Sequence, residues 1–188
     1  LGDDDAGTTF DVSAVNYQEN GTKVPVNYVL PPKIEQTLSY GTTTPVHQNE
    51  QAMALKVCNL LDGDARATYK NVDLDVRSYK KLKMYVHAEA QAAGPPLNDN
   101  DLTCFVRLGT DYTQNYYEYE IPLYVTLPGT YENTDDNPGG AREQVWIPAN
   151  NMEIDFSELQ DAKQERNRAI FNQTTDLTKR YAKQITDP

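Results

Sequence analysis

The sequence is poor in the residues that most often carry catalysis or bind transition metals, with two histidines and two cysteines among 188 residues. Two thiols cannot complete a structural zinc site, and Cys58 and Cys104 lie in separate predicted strands rather than in a closely spaced redox pair. A disulfide in an oxidising compartment and two buried free thiols are equal alternatives at this point.

Neither histidine has a catalytic setting. His47 lies in a presumed arm and His87 on the outward face of a predicted strand, and no nucleophile stands at a recognisable spacing from either of them. Glu118 and Glu120 share one strand face, whereas the carboxylates that cleave glycosides normally come from different strands across a cleft. The sequence therefore predicts a non-catalytic protein, with no catalytic residue.

Basic residues are also scarce, since 17 lysines and arginines stand against 28 acidic residues and the formal net charge is -11. Such a surface repels phosphate, so nucleic acid and anionic lipid are poor partners. The same acidity is typical of a soluble exported protein.

No run approaches the roughly 20 apolar residues of a transmembrane helix, so this segment is not expected to span the membrane itself. The start at Leu1, with no methionine and no signal peptide, indicates a processed product or a segment of a larger protein.

Residues 1–50 are predicted to form an extended arm with short edge strands. The segment opens with an acidic run, is rich in threonine, asparagine and proline, and shows no helical periodicity. The β-prone stretch 24–30 contains Pro25 and is followed by Pro31 and Pro32, which confine it to a sheet edge or an extended strap.

Residues 51–150 are predicted to form the core of a β-sandwich, because short alternating apolar runs recur between turn signals. Five strands are indicated, and the residues expected on their inner faces include Met53, Leu55 and Val57, then Leu82, Met84, Val86 and Ala88, then Leu102, Cys104, Val106 and Leu108, with further strands at 116–123 and 145–147. The polar, glycine-rich stretch 128–142 is expected to be a loop. The predicted fold class is all-β, a jelly-roll-like sandwich of the kind found in carbohydrate-binding modules.

Residues 151–188 are predicted to form one surface helix and a polar tail. Asp155 or Ser157 can cap the helix, and Ser157 with Gln160 has the spacing of a capping box. The apolar stripe is narrow, so the helix is expected to lie on the surface of the sandwich.

Calcium is the metal that the acidic turns favour. Asp62 and Asp64 flank a glycine, and Asp99 and Asp101 alternate with asparagines, so hard oxygen ligands are clustered there. The same composition is the commonest one for turns, and no complete EF-hand loop is present. A structural calcium ion is the only cofactor hypothesis that the sequence carries.

Tyrosine is the most frequent aromatic residue, with 13 tyrosines against four phenylalanines and one tryptophan. The predicted binding surface consists of Tyr112, Tyr116, Tyr117, Tyr119 and Tyr124. Exposed rings can stack on sugars or pack against a protein partner. Cross-strand pairing within a sheet is the structural alternative. A carbohydrate-binding module with a tyrosine platform is therefore the second functional hypothesis.

Several motifs, taken together and in order, resemble an internal region of the SprA/Sov family. They are NYVLPP (27–32), NEQ (49–51), GDARATYKN (63–71), YKKLKMYVHAE (79–89), FVRLG (105–109), NYYEYEIPL (115–123), WIP (146–148) and KQERN (163–167). The family comprises very large outer-membrane translocon proteins of type IX secretion, which are also tied to gliding motility.

This resemblance implies a structural module that shapes the periphery of a secretion channel at the bacterial outer membrane, at the cell surface or the periplasmic face. It implies contacts with the rest of the parent barrel chain, with other secretion-system subunits and with secreted cargo proteins. It supplies no catalytic residues, which agrees with the sparse inventory above.

Overall fold

Strands outnumber helices in the computed structural model, which describes residues 7–39, 46–48, 50–72, 75–111, 113–175 and 180–182. The strands are β1 (Thr9–Asn16), β2 (Leu38–Ser39), β3 (Val46–His47), β4 (Gln51–Cys58), β5 (Lys81–Met84), β6 (Thr103–Gly109), β7 (Tyr116–Pro122) and β8 (Met152–Asp155). The helices are α1 (Tyr17–Asn20), α2 (Ala141–Val145) and α3 (Phe156–Phe171), and short 3-10 turns cover Val76–Ser78 and Pro148–Asn150.

The strands pair as four antiparallel two-stranded sheets, β1 with β4, β2 with β3, β5 with β8, and β6 with β7. This pairing confirms the predicted β-rich class. A jelly roll stacks two larger sheets built from about eight strands, and the sheets of the described residues do not confirm that architecture. Two of these pairs join strands from different predicted segments, since β1 pairs with β4 and β5 pairs with β8. The predicted divisions at residues 50 and 150 stay a prediction.

The core lies where residues 26–30 meet the end of α2. Val26, Asn27, Tyr28, Val29 and Leu30 are all buried, and the cluster continues through two residues near α2, Val145 and Trp146. The segment that was predicted as part of an arm therefore supplies the most continuous buried run of the described chain.

Side chains, rather than a strand ladder, satisfy much of the backbone of this buried run. The Trp146 indole N–H donates to the Val29 carbonyl at 2.9 Å. The Leu30 N–H donates to Asn133 Oδ1 at 2.7 Å. Buried backbone groups must be paired, and these long-range bonds allow a proline-flanked segment to be buried without becoming a strand.

The region around α2 corrects two expectations. Residues 145–147 were predicted to be a strand, but Val145 ends a helix. The polar loop before it packs more closely than predicted, because Arg142 is buried and its guanidinium donates to the carbonyls of Asn133 and Ile34 at 2.6 and 3.0 Å. Asp135 accepts the Ala141 N–H at 3.0 Å, which helps to begin the helix.

Helix α3 lies on the surface, as predicted. None of its residues is buried, and its N-cap is Asp155, whose side chain accepts the Ser157 N–H at 2.9 Å. The Phe156 N–H donates to the Lys80 carbonyl at 3.0 Å and joins the start of the helix to the residue before β5. Among the described helices, none combines the length and apolar character needed to cross a membrane.

Candidate interaction surface

The predicted tyrosines do not share one face of the β6–β7 hairpin. Tyr117 and Tyr119 are two residues apart and lie on one face, and Tyr116 lies on the other. Tyr124 follows β7 and is 40% exposed. Tyr112 lies outside the described residues. The structure therefore places Tyr117 and Tyr119 together, and the carbohydrate-binding hypothesis stays a prediction.

Two arginine side chains lie close to the ring of Tyr116. The guanidinium of Arg107 lies 4.5 Å from its centroid and that of Arg180 lies 5.6 Å from it. Glu118, on the same strand face, binds both of these arginines, with Arg180 Nη1 2.7 Å from its Oε1. Such stacking is favourable, and it covers the ring surface that a sugar would need.

Glu120 does not act with Glu118 as a catalytic pair would. It accepts the Thr103 hydroxyl across the hairpin at 2.6 Å, and Glu118 is engaged by arginines. Neither residue lines the cavity of about 360 Å³ that lies beside the start of α3, whose walls are Tyr79, Lys80, Asp155, Phe156, Ser157 and Gln160.

Asp111 organises the turn of the hairpin. Its Oδ1 accepts the backbone N–H groups of Gln114, Thr113 and Asn115 at 2.6, 2.9 and 3.0 Å, and its Oδ2 accepts the Asn115 side chain at 2.6 Å. These hydrogen bonds, led by that from Gln114, hold the pKa of Asp111 well below its usual range. The turn is therefore built on a carboxylate that stays charged in mild acid.

Replacing Asp111 by alanine should unlock this turn. We expect the Gln114 and Asn115 amides to lose their protection from hydrogen exchange, measured by NMR at pH about 7. In the parent chain, because the folded-state pKa is depressed, the protection is present above the unfolded value of about 3.9 and is lost only as the pH falls through the lower folded value. Thr113→Ala, which keeps its backbone N–H, is the matched control. Unchanged protection in Asp111→Ala would contradict this account of the turn.

The predicted calcium ligands lie in turns that already use some of their oxygens. Asp99 Oδ1 accepts the Val125 N–H at 2.8 Å, and Asp101 Oδ2 accepts the Asn98 N–H at 2.8 Å. Asp62 and Asp64 are exposed in the turn after β4. Within the described ranges, no three His, Cys, Asp or Glu side chains form a group that could hold a metal ion. The calcium site stays a prediction.

His87 does not lie on an outward strand face as predicted. It follows β5 and packs against Trp146, with ring centroids 5.8 Å apart. Its Nδ1 donates to the Val145 carbonyl at 2.8 Å, and the Thr126 hydroxyl donates to the same carbonyl at 3.1 Å. Since Thr126 is 2% exposed, this hydroxyl is buried and engaged. The arrangement stabilises the core and does not present a nucleophile.

Glu89 joins this cluster to the surface. Burial opposes its charge, but hydrogen bonds from His87 and Lys23 hold the pKa of this carboxyl below its usual range.

The other histidine and the two cysteines lie in three different strands. His47 lies in β3 opposite Leu38, and its side chain is not among those described. Cys58 in β4 and Cys104 in β6 are free thiols, and burial raises the pKa of Cys104.

An apolar surface appears instead on the ribbon of β1 and β4. In antiparallel strands, residues opposite each other share a face. We call one face of this ribbon the open face, and its side chains are Phe10, Val12 and Ala14 of β1 with Val57, Leu55 and Met53 of β4.

The β4 residues of the open face were predicted to lie on an inner face, but most of the open face is exposed. Val12, Leu55 and Met53 are 49%, 46% and 62% exposed, although the alternation in β4 placed Leu55 and Met53 on an inner face. The opposite face of the ribbon meets the core through Val15 and Ala52. Contiguous exposed apolar patches are typical of interaction surfaces.

Comparison with known proteins gives one result of wide coverage. The SprA_N family model, described as motility related/secretion protein, matches residues 2–188. No curated protein matches the chain. The family indicated by the sequence motifs is thereby confirmed over nearly the whole chain, and its description is that of a secretion and motility protein rather than an enzyme.

Proposed function

Because the chain belongs to the SprA_N family of motility related and secretion proteins, we propose that it is a non-catalytic structural and interaction module of the type IX protein translocon. In this proposal the module lies at the outer membrane, at the cell surface or the periplasmic face. It contacts the rest of its parent chain, other secretion subunits and secreted cargo.

The open face of the β1–β4 ribbon is the observation that carries this proposal. Two-stranded sheets are marginal alone, and stable sheets need further strands or a packed cover. Among the described residues, sixteen large hydrophobic side chains are exposed, whereas eleven hydrophobic residues form the core. This balance supports a module whose apolar surface is covered by neighbouring proteins, and whose sandwich is completed by strands of its partners.

The engagement of the titratable side chains supports the non-catalytic part of the proposal. Glu118 binds two arginines and the Thr126 hydroxyl is buried and bonded to a carbonyl. Catalysis requires an accessible nucleophile or a pair of groups poised around a substrate. Of the described side chains that sequence reasoning considered for chemistry, His87, Glu118 and Glu120 have structural partners instead.

Charging the open face should impair secretion. In a bacterium that makes the parent protein, we expect Met53→Lys combined with Leu55→Lys to reduce secreted cargo by about tenfold, the effect of about 1.4 kcal/mol of lost binding. The measurement is an immunoblot of a type IX cargo in the culture medium, normalised to the parent protein in the membrane fraction.

The matched control is Thr9→Lys combined with Ser13→Lys. These exposed residues lie on the other face of the same ribbon and add the same charge. Normal secretion is expected from this control. Normal secretion from the open-face variant, at an equal level of parent protein, would argue against the proposed function.

A further inference from the structure

The outer edge of β1, which faces away from β4, carries backbone groups that have no hydrogen-bond partner among the described residues. In an antiparallel pair, alternate residues direct both N–H and C=O away from the partner strand. The Asn16 N–H donates to Asn20 Oδ1 at 3.0 Å, and the Val57 carbonyl accepts a hydrogen bond from the Gln91 side chain at 3.1 Å. The backbone groups of both residues therefore point away from the partner strand. Phe10 lies opposite Val57 in the same register.

The same alternation extends along the strand. Phe10, Val12 and Ala14 lie an even number of positions before Asn16 in the same strand. Their N–H and C=O groups therefore lie on the same outer edge of β1. In the part of the chain that the structure describes, no hydrogen bond reaches these groups from outside the ribbon. The three residues that carry the free edge are also the three β1 residues of the open face.

This edge lacks most of the features by which proteins block unwanted pairing, and its one charged residue, Asp11, lies opposite Lys56 on the other face of the ribbon. Natural edge strands are shortened, bulged or supplied with lysine or proline. β1 is eight residues long and pairs without a bulge, and its sequence, TFDVSAVN, contains neither lysine nor proline. The edge of β4 is different, because Gln91 occupies it at Val57. An unprotected, regular edge beside an apolar face is the arrangement that strand addition requires.

We propose that the outer edge of β1 accepts an extended strand from another polypeptide. The incoming strand would pair with the backbone of Phe10, Val12 and Ala14. Its alternate side chains would be apolar and would extend the open face, and its remaining side chains would be neutral or basic. The proposal rests on the proposed function only in assigning this partner to a secretion or motility apparatus.

Charge and backbone chemistry select this occupant over two others. A second copy would bring a formal net charge of -11 against -11, and like charges oppose association. Lipid cannot pair the free N–H and C=O groups, and leaving them unpaired in hydrocarbon costs several kcal/mol for each group. A neutral or basic strand meets both requirements.

Interface area adds a further condition. A stable protein–protein interface buries about 1,200 Å² or more in total, which exceeds what one short strand covers. The partner must therefore also cover exposed side chains of the open face, namely Val12, Leu55 and Met53.

The test uses the full 188-residue chain and a fluorescein-labelled peptide of about ten residues, alternating valine and threonine with a lysine at each end. Because so short a strand covers less area than a stable interface buries, fluorescence anisotropy should show saturable but weak binding. Hydrogen exchange by NMR should show the Phe10, Val12 and Ala14 amides becoming protected when peptide is added, whereas the amides of Asp11 and Ser13, which face β4, are protected already.

Two substitutions at one position separate the edge from the face. Val12→Pro removes an outward N–H without removing a ladder bond, and Val12→Lys leaves the backbone intact and charges the open face. Both should weaken peptide binding by at least about tenfold. Ser13→Lys, on the opposite face of the same strand, should bind like the parent chain.

Three results would overturn the proposal. They are unchanged binding by both Val12 variants, protection of the Met53 and Leu55 amides of β4 in place of the β1 amides, and a dimer seen by light scattering that Val12→Pro abolishes. The peptide assay contains no secretion apparatus, so its failure removes the strand-addition site alone. Failure of the secretion assay removes the proposed function alone.

Discussion

Replacing Trp146 by alanine should lower the free energy of unfolding by about 3 to 5 kcal/mol, the range for deleting a buried large aromatic side chain. Trp146 is 6% exposed and packs edge-on against Tyr28 and Tyr85, with ring centroids 6.0 and 6.3 Å away. Its removal also leaves the Val29 carbonyl without its indole donor. Urea denaturation followed by far-UV circular dichroism is the suitable measurement, because the chain has no other tryptophan to report by fluorescence.

Two controls separate burial from hydrogen bonding in this prediction. Trp146→Phe keeps an aromatic ring but loses the indole N–H, and it should cost less than alanine does. Phe171→Ala removes an aromatic side chain that is 87% exposed at the end of α3, and it should change the stability by no more than about 0.5 kcal/mol. If the alanine variants at 146 and 171 were equally stable, the core would not lie around Trp146.

The Trp146 cluster also supports the interaction surface. Val15 of β1 and Ala52 of β4 pack against this cluster from the ribbon face opposite the open face. Ordered strands present a binding edge more effectively than mobile ones, because less conformational entropy is lost on association. Core packing and strand addition are therefore physically linked, although no core residue belongs to the free edge.

The sequence was most informative where structure is local. The alternation at 102–108 and 116–123 predicted the strands β6 and β7, and the signals around Asp155 and Ser157 predicted the start of α3. These elements depend on side-chain period and on capping within a few residues. The role of Asp111 in the turn between β6 and β7 was not predicted.

The buried run at 26–30 could not be predicted in the same way. Its proline neighbours indicated an edge, and the pairing that buries it comes from distant side chains. Asn27 exchanges hydrogen bonds of 2.9 and 2.7 Å with the backbone of Tyr131, 104 residues away. Sequence periodicity carries no information on such a partner. The missing signal here is tertiary rather than local.

The open face shows a different limit of sequence reasoning. Alternation correctly placed Met53, Leu55 and Val57 on one face of β4. It does not indicate whether this chain or another covers that face. For Met53 and Leu55 the pattern predicted burial and the structure shows exposure, and the proposed strand partner would account for both.

Replacing Asn150 by aspartate should lower the free energy of unfolding by about 3 kcal/mol at pH about 7. Asn150 is fully buried, and its amide closes a ring of hydrogen bonds with Tyr124, accepting from the backbone N–H at 2.7 Å and donating to the carbonyl at 2.8 Å. A carboxylate can accept the first bond but cannot donate the second. It would also place an uncompensated charge in the interior.

The pH dependence of this loss identifies its cause. Burial raises the folded-state pKa of the new carboxyl above its unfolded value of about 3.9. The destabilisation relative to the parent chain should therefore be small below pH about 4, where the protonated acid can donate to the Tyr124 carbonyl, and should grow as the pH rises through the folded value. Asn167→Asp, on an exposed position of α3, should stay within about 0.5 kcal/mol of the parent. Because aspartate has the size and shape of asparagine, an Asn150→Asp deficit that is independent of pH would mean that buried charge does not cause the loss, and it would contradict this prediction.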